Sequence, residues 1–125
     1  MKSEKRRIGD FGEDAACLFL KKKGYRVIDR NYMCKTGEID VIALSPLKHE
    51  IVFVEVKTRS SILYGYPYQF VDSKKRRRII LTALNYVKRF NLGNIQIRFD
   101  IIEILNKDNN VYVRHLENVF SFDQG

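Results

Sequence analysis

The stretch Ile51-Val52-Phe53-Val54-Glu55-Val56-Lys57 constrains the fold more than any other segment. Its β-branched and aromatic residues predict a strand, and its apolar run reads as a central one. Two charges, Glu55 and Lys57, nevertheless sit inside it. Residues two apart on a strand share a face, so these two project the same way. Any fold built on this strand must seat a carboxylate and an ammonium within a sheet.

The flanking sequence supplies the rest of that sheet. A helix is expected from Asp10 to Lys23, with Phe11, Ala15, Leu18 and Phe19 at helical spacing and Lys21-Lys22-Lys23-Gly24 as a cationic end and stop. Tyr25 to Arg30 alternates as a short strand, and Gly37 to Leu44 and Glu50 to Thr58 follow as two more. Ser45 to His49 has the length of an antiparallel hairpin connection. Ser60 to Val71, with Gly65 and Pro67, reads as a loop. A second helix is expected from Ser73 to Phe90, its core stripe Ile80, Ala83, Leu84 and Val87 flanked by Ile79, Tyr86 and Phe90. Ile95 to Leu105 and Val111 to Leu116 are strands joined by the turn-rich Asn106 to Asn110. The order α-β-β-β-α-β-β predicts an α/β fold, a mixed β-sheet flanked by helices.

Size and composition narrow the class. A chain of 125 residues fits one domain, residues 1–125. Its 23 Lys and Arg against 15 Asp and Glu leave a formal charge of +8, which suits a polyanionic partner. Cys17 and Cys34 form no disulfide framework, which fits a reducing cytoplasm. No run long and apolar enough to span a membrane occurs. The charged N-terminal segment lacks the apolar region of a secretory signal. Cys17, Cys34, His49 and His115 show no zinc-ligand spacing.

The strand Gly37-Glu38-Ile39-Asp40 completes the chemistry begun by Glu55 and Lys57. A hairpin symmetric about Leu47 and Lys48 puts Asp40 opposite Glu55. Two carboxylates about 4 Å apart repel by roughly 4 kcal/mol at an effective dielectric near 20. One of them must hold a proton, or a cation must lie between them. Hard oxygen ligands suit Mg²⁺ or Mn²⁺. A divalent ion there, with Lys57 to orient or help deprotonate the nucleophile, is the equipment of metal-assisted phosphodiester hydrolysis. The plainer alternative is a solvent-facing Glu-Lys pair worth little. Glu13 is a candidate fourth member, because its helical neighbours Ala16, Cys17 and Leu20 form an otherwise apolar row. Its alternative role is a capping box with Asp10 as N-cap.

These residues carry a resemblance. Gly12-Glu13-Asp14-Ala15-Ala16, Gly24-Tyr25, Asn31, Gly37-Glu38-Ile39-Asp40, Phe53-Val54-Glu55-Val56-Lys57-Thr58-Arg59, Gly65, Pro67, Val71, Lys75, Arg78 and Arg98-Phe99-Asp100 resemble, in that order, the YraN-type family of uncharacterised bacterial proteins. That family is placed in the PD-(D/E)XK nuclease superfamily. The likeness implies a restriction-endonuclease-like fold, a divalent metal held by Asp40 and Glu55, and Lys57 beside the attacked phosphate. Glu13 would match the helical glutamate of archaeal Holliday-junction resolvases. That likeness further implies branched or structured DNA as substrate and a homodimer.

The run Lys74-Lys75-Arg76-Arg77-Arg78 opens the second helix, where cations oppose the helix dipole. Phosphate contact would relieve the conflict, and Lys75, Arg78, Thr82, Asn85 and Arg89 recur as one polar stripe. Arg59 lies just upstream, with Tyr64, Tyr66 and Tyr68 read chiefly as loop packing. The expectation is a magnesium- or manganese-dependent DNA endonuclease of the cytoplasm. Its rivals are a nucleic-acid-binding module without turnover and a basic scaffold protein.

Overall fold

The structure, a computed structural model, describes residues 3–47, 49–59 and 72–121. The elements are α1 (Glu4–Lys22), β1 (Arg26–Cys34), β2 (Gly37–Leu44), β3 (Ile51–Arg59), α2 (Ser73–Arg89), β4 (Ile97–Lys107) and β5 (Asn110–Phe120). The predicted order α-β-β-β-α-β-β holds. The expected loop from Ser60 to Val71, with its tyrosines, lies outside the described residues. No helix among the described residues is long and apolar enough to cross a membrane.

The strands form one mixed sheet in the order β1-β2-β3-β4-β5. β3 and β4 are parallel, and the other neighbours are antiparallel. This order is that of a restriction-endonuclease-like fold. β3 is central, as its composition predicts, and it is covered on both faces. Ile51 and Phe53 pack with Ile79, Ile80, Ala83 and Tyr86 of α2. Val52 and Val54 pack with Ala16, Cys17 and Leu20 of α1. A strand covered on both faces reads as a continuous apolar run because each pleat meets a helix.

Several boundaries differ from expectation for physical reasons. α1 begins at Glu4, because Ser3 caps it and accepts the Arg6 amide at 3.1 Å. Asp10 therefore lies inside the helix, and the capping-box role for Asp10 and Glu13 is excluded. The buried face of α1 is Ala16, Cys17 and Leu20, while Phe11 and Leu18 are exposed. Glu13 thus stands on the row that faces the sheet. The helix ends as expected at Gly24 (φ +91°), where Gly24 N donates to Lys21 O and Tyr25 N to Leu20 O. β1 runs on to Cys34 and turns into β2 through Lys35 and Thr36. β5 reaches Phe120, and its turn from β4 is only Asp108-Asn109, both at positive φ as a tight hairpin requires.

The core stripe of α2 also shifts. Ile79, Ile80, Ala83 and Tyr86 are buried, but Leu84 is exposed. The polar stripe divides. Thr82 is fully buried and bonds Thr36 Oγ1 at 2.8 Å, and Asn85 accepts the Tyr32 hydroxyl. Its C-terminal half therefore packs on the β1–β2 hairpin, and only Lys75 and Arg78 face a cleft.

Candidate active site at the fork of the sheet

The β2–β3 ladder pairs Leu44 with Ile51, Ala43 with Val52, Ile42 with Phe53 and Val41 with Val54, and ends there. Beyond that point the N-terminal half of β2 pairs only with β1, and the C-terminal half of β3 only with β4. The sheet forks. Asp40 and Glu55 are the first residues past the last paired rung, on the register the hairpin symmetry predicts. The Val56 amide, left without a β2 partner, donates to Asp40 Oδ2 at 2.8 Å.

The fork opens into a cleft of about 540 Å³ lined by Gly37, Glu38, Asp40, Glu55, Asp72, Lys74, Lys75, Arg78 and Ile79. Gly37 is at φ +150°, and an added Cβ would lie 3.3 Å from Thr82 Oγ1, so the β1–β2 turn is pressed against α2. α2 contributes its first turn, set by Asp72, whose carboxylate caps the helix and accepts the Lys75 amide at 2.8 Å. That acidic cap answers part of the conflict between the cationic run and the helix dipole. Helical rotation splits the run. Lys74, Lys75 and Arg78 line the cleft, while Arg76 and Arg77 do not.

The charges in the fork are closely coupled. Lys75 Nζ lies 2.8 Å from Glu55 Oε1, and Lys57 Nζ lies 3.5 Å from the same oxygen. Burial lowers the pKa of Lys57, and the adjacent Lys75 lowers it further. Burial and the charge of Glu55 push Asp40 up to about 7, against the Val56 hydrogen bond. Glu13 and Glu38 act on Asp40 in the same direction. The repulsion expected between Asp40 and Glu55 is thus carried by Asp40 holding a proton near neutrality.

Glu13 enters from α1 through a neighbouring cleft lined by Arg6, Asp10, Asn31 and Glu38. Glu38 is the wall common to both clefts. Arg30 Nη2 stands 3.6 Å from Glu13 Oε1 and 2.8 Å from Asp14 Oδ1. Glu13 Oε1 is buried and accepts no hydrogen bond. Burial raises the pKa of Glu13, and a hydrogen bond from Asn31 opposes it. α1 comes this close to the sheet because Gly12 has no side chain. A Cβ there would fall 1.9 Å from Thr58 Oγ1, one residue past Lys57.

Sequence reasoning missed Glu38, Asn31 and Asp72. Glu38 was legible as the partner of Asp40 on one strand face. Asn31 was not, because its role rests on a left-handed backbone (φ +53°) within β1. Arg59 sits elsewhere, in an apolar groove with Arg7, Ile8, Phe11, Thr58 and Asn106.

A second polar cluster lies on the α1 face of the sheet. Asp100, His115 and Glu117 bring one ligand atom each within 4.8 Å of one another, the spacing of a possible metal-binding group. Asp40, Glu55 and Glu13 do not close to that spacing as a trio. Asp100, however, is already saturated. Its Oδ1 accepts Arg98 Nε and the Asn118 amide, both at 2.9 Å. Its Oδ2 accepts Arg98 Nη2 at 2.8 Å and pairs with His115 Nε2 at 2.7 Å. Arg98 also bonds Glu50 Oε1 at 2.8 Å. The guanidinium supplies the cation this group needs, and the cluster ties the starts of β3 and β4 to β5.

Residues 12–104 match the pattern of the uncharacterised protein family UPF0102. The chain belongs to this family. Its residues 12–104 run from the Gly12 contact through the whole fork to β4. A UPF0102 protein of Clostridioides difficile is 46% identical, over 90% of this chain and 95% of its own length. One of Caldanaerobacter subterraneus is 44% identical over 95% and 98%. A third, of Clostridium acetobutylicum, is 44% identical over 92% and 94%.

Proposed function

We propose that this chain is a divalent-metal-dependent nuclease of the PD-(D/E)XK type that hydrolyses phosphodiester bonds in DNA. The observation that carries the reading is the fork. Asp40, Glu55 and Lys57 meet where β2 and β3 part, and Lys74, Lys75 and Arg78 form the facing wall of the same cleft.

The donor set fits Mg²⁺ or Mn²⁺. Asp40 and Glu55 offer hard carboxylate oxygens, and Glu13 adds a buried oxygen without a hydrogen bond. Asp40 and Glu55 would hold the ion, and Glu13, which acts electrostatically on Asp40, would add a third carboxylate. When bound, it supplies positive charge to the scissile phosphate and acidifies the attacking water. Lys57 is half-buried, and its lowered pKa brings its amine nearer to accepting a proton at neutral pH. It would orient that water and take its proton. Lys74, Lys75 and Arg78 would hold the phosphates flanking the cut. The basic wall suits a phosphate backbone, and the likeness to archaeal Holliday-junction resolvases extends the reading to branched or structured DNA and a homodimer.

The test is a panel of linear, flapped, four-way and single-stranded DNA and RNA with Mg²⁺ or Mn²⁺. Wild type should cut at least one substrate, and Glu55→Ala should cut none. Cleavage that persists in Glu55→Ala would overturn the mechanism. Tight binding without metal-dependent cleavage in any arm would instead favour a binding module, and no binding of either polymer would favour a scaffold.

A further inference from the structure

Two ammonium groups converge on one carboxylate oxygen in the fork. Lys75 holds Glu55 Oε1 at 2.8 Å and Lys57 approaches it at 3.5 Å. They are not equivalent. Lys57 shares a strand with Glu55, and its side chain is 17% exposed. Lys75 comes from the first turn of α2, and its side chain is 41% exposed. Its backbone is fixed by the Asp72 cap, but its four-carbon stem can swing within the cleft.

We infer that Lys75 is a placeholder cation: it neutralises Glu55 until a divalent ion binds there, and then passes to the phosphodiester. This rests on the reading that Asp40 and Glu55 hold such an ion. The closer ammonium and a divalent ion against the same oxygen repel each other at contact distance, so each weakens the other's hold. Lys57, held by its own strand, stays beside the site. Lys75 is the group free to leave. The wall it returns to carries Lys74 and Arg78 against the one acid Asp72, so a third cation there gains from an added anion. A phosphate provides that anion. Lys75 therefore opposes ion binding in the free protein and supports it once nucleic acid is present. Ion and nucleic acid then bind with positive coupling, and by linkage the coupling is reciprocal.

The test is a Mn²⁺ titration of the full chain followed by electron paramagnetic resonance, without and with a short DNA duplex. Wild type is compared with Lys75→Gln, Lys75→Met and the charge control Lys88→Gln at the far end of α2. Without DNA, both Lys75 variants should bind Mn²⁺ about two- to fivefold more tightly, the range of a partly exposed ion pair. Lys88→Gln should match wild type. DNA should tighten Mn²⁺ binding in wild type and do so less in the Lys75 variants. Equal or weaker Mn²⁺ binding by both Lys75 variants would overturn the placeholder role while leaving the nuclease reading intact. Tighter binding without cleavage of any substrate would keep the placeholder and remove the nuclease. Absence of Mn²⁺ binding in every variant would overturn both.

Discussion

Asp40 and Val56 are joined by a bond that replaces a rung of the sheet: the Val56 amide donates to Asp40 Oδ2 at 2.8 Å, just past the last β2–β3 pair. The carboxylate that marks the candidate metal site is therefore also a structural acceptor. Asp40→Asn keeps a side-chain oxygen for Val56 and should fold. Asp40→Ala strands a buried amide, which costs about 1–3 kcal/mol. Urea denaturation at one pH should rank alanine below asparagine by that amount. Both variants should lose metal-dependent cleavage.

The pH dependence follows from the same residue. An unfolded Asp titrates near 3.8, and folded Asp40 near 7. Between those values the folded state binds the extra proton, so this group lowers stability as pH rises from about 4 to 7. The difference between wild type and Asp40→Asn should change by on the order of 2–4 kcal/mol over that window. Asp100 has the opposite sign. Burial would raise its pKa, but His115, Arg98 and the Asn118 amide override this and hold it below the usual range. Its contribution is present at neutral pH and is lost as pH falls below about 4. Denaturation series in metal-free buffer, from pH 3 to 8, separate the two.

Gly12 sets the distance between α1 and β3. Gly12→Ala would drive a methyl to 1.9 Å from Thr58 Oγ1 and 3.2 Å from its Cβ. The expected cost is about 1–3 kcal/mol, as for overpacking a core. Thr58→Ala should recover part of it, giving a non-zero coupling in a double-mutant cycle. Thermal melts of the four proteins measure it.

Arg98 is the cation of the second polar cluster, with a side chain 12% exposed. Arg98→Met leaves Asp100 and Glu50 without it and should cost about 3–5 kcal/mol. His115→Gln should leave Mn²⁺ affinity unchanged, because this cluster is closed by the guanidinium. Calorimetric melts and a Mn²⁺ titration check the pair.

The basic run should divide by helix face. Replacing Lys74 or Arg78 with Gln should lower the slope of log K against log salt for DNA by about 1 each. Arg77→Gln, pointing away from the cleft, should change it less. Fluorescence anisotropy across a salt series gives the slopes.

Much of this site was legible in the chain. The β-branched and aromatic run Ile51–Val54 reads as a central strand. Glu55 and Lys57 then had to share a face, and the short hairpin link put Asp40 beside Glu55. Glu13 was legible as the one charge on the row Ala16, Cys17 and Leu20. The first turn of α1 was not, because a charged opening turn carries no apolar period and its start depends on one serine cap. The division of the polar stripe was also hidden. Thr82 looks like Lys75 and Arg78 in sequence, and only the β1–β2 hairpin decides which of them is covered.

The sequence by itself determined the order of helices and strands along the chain, the register of the central hairpin and the identity of the charged residues, since these follow from periodicity and loop length, which are local. Only the tertiary structure decided that the sheet forks at Asp40 and Glu55, that Lys75 reaches Glu55 first, and that Arg98 closes the Asp100 cluster. Those outcomes depend on where helices and strands distant in the chain come to rest, and electrostatic pairing acts through space at a few ångströms, whatever the separation along the backbone.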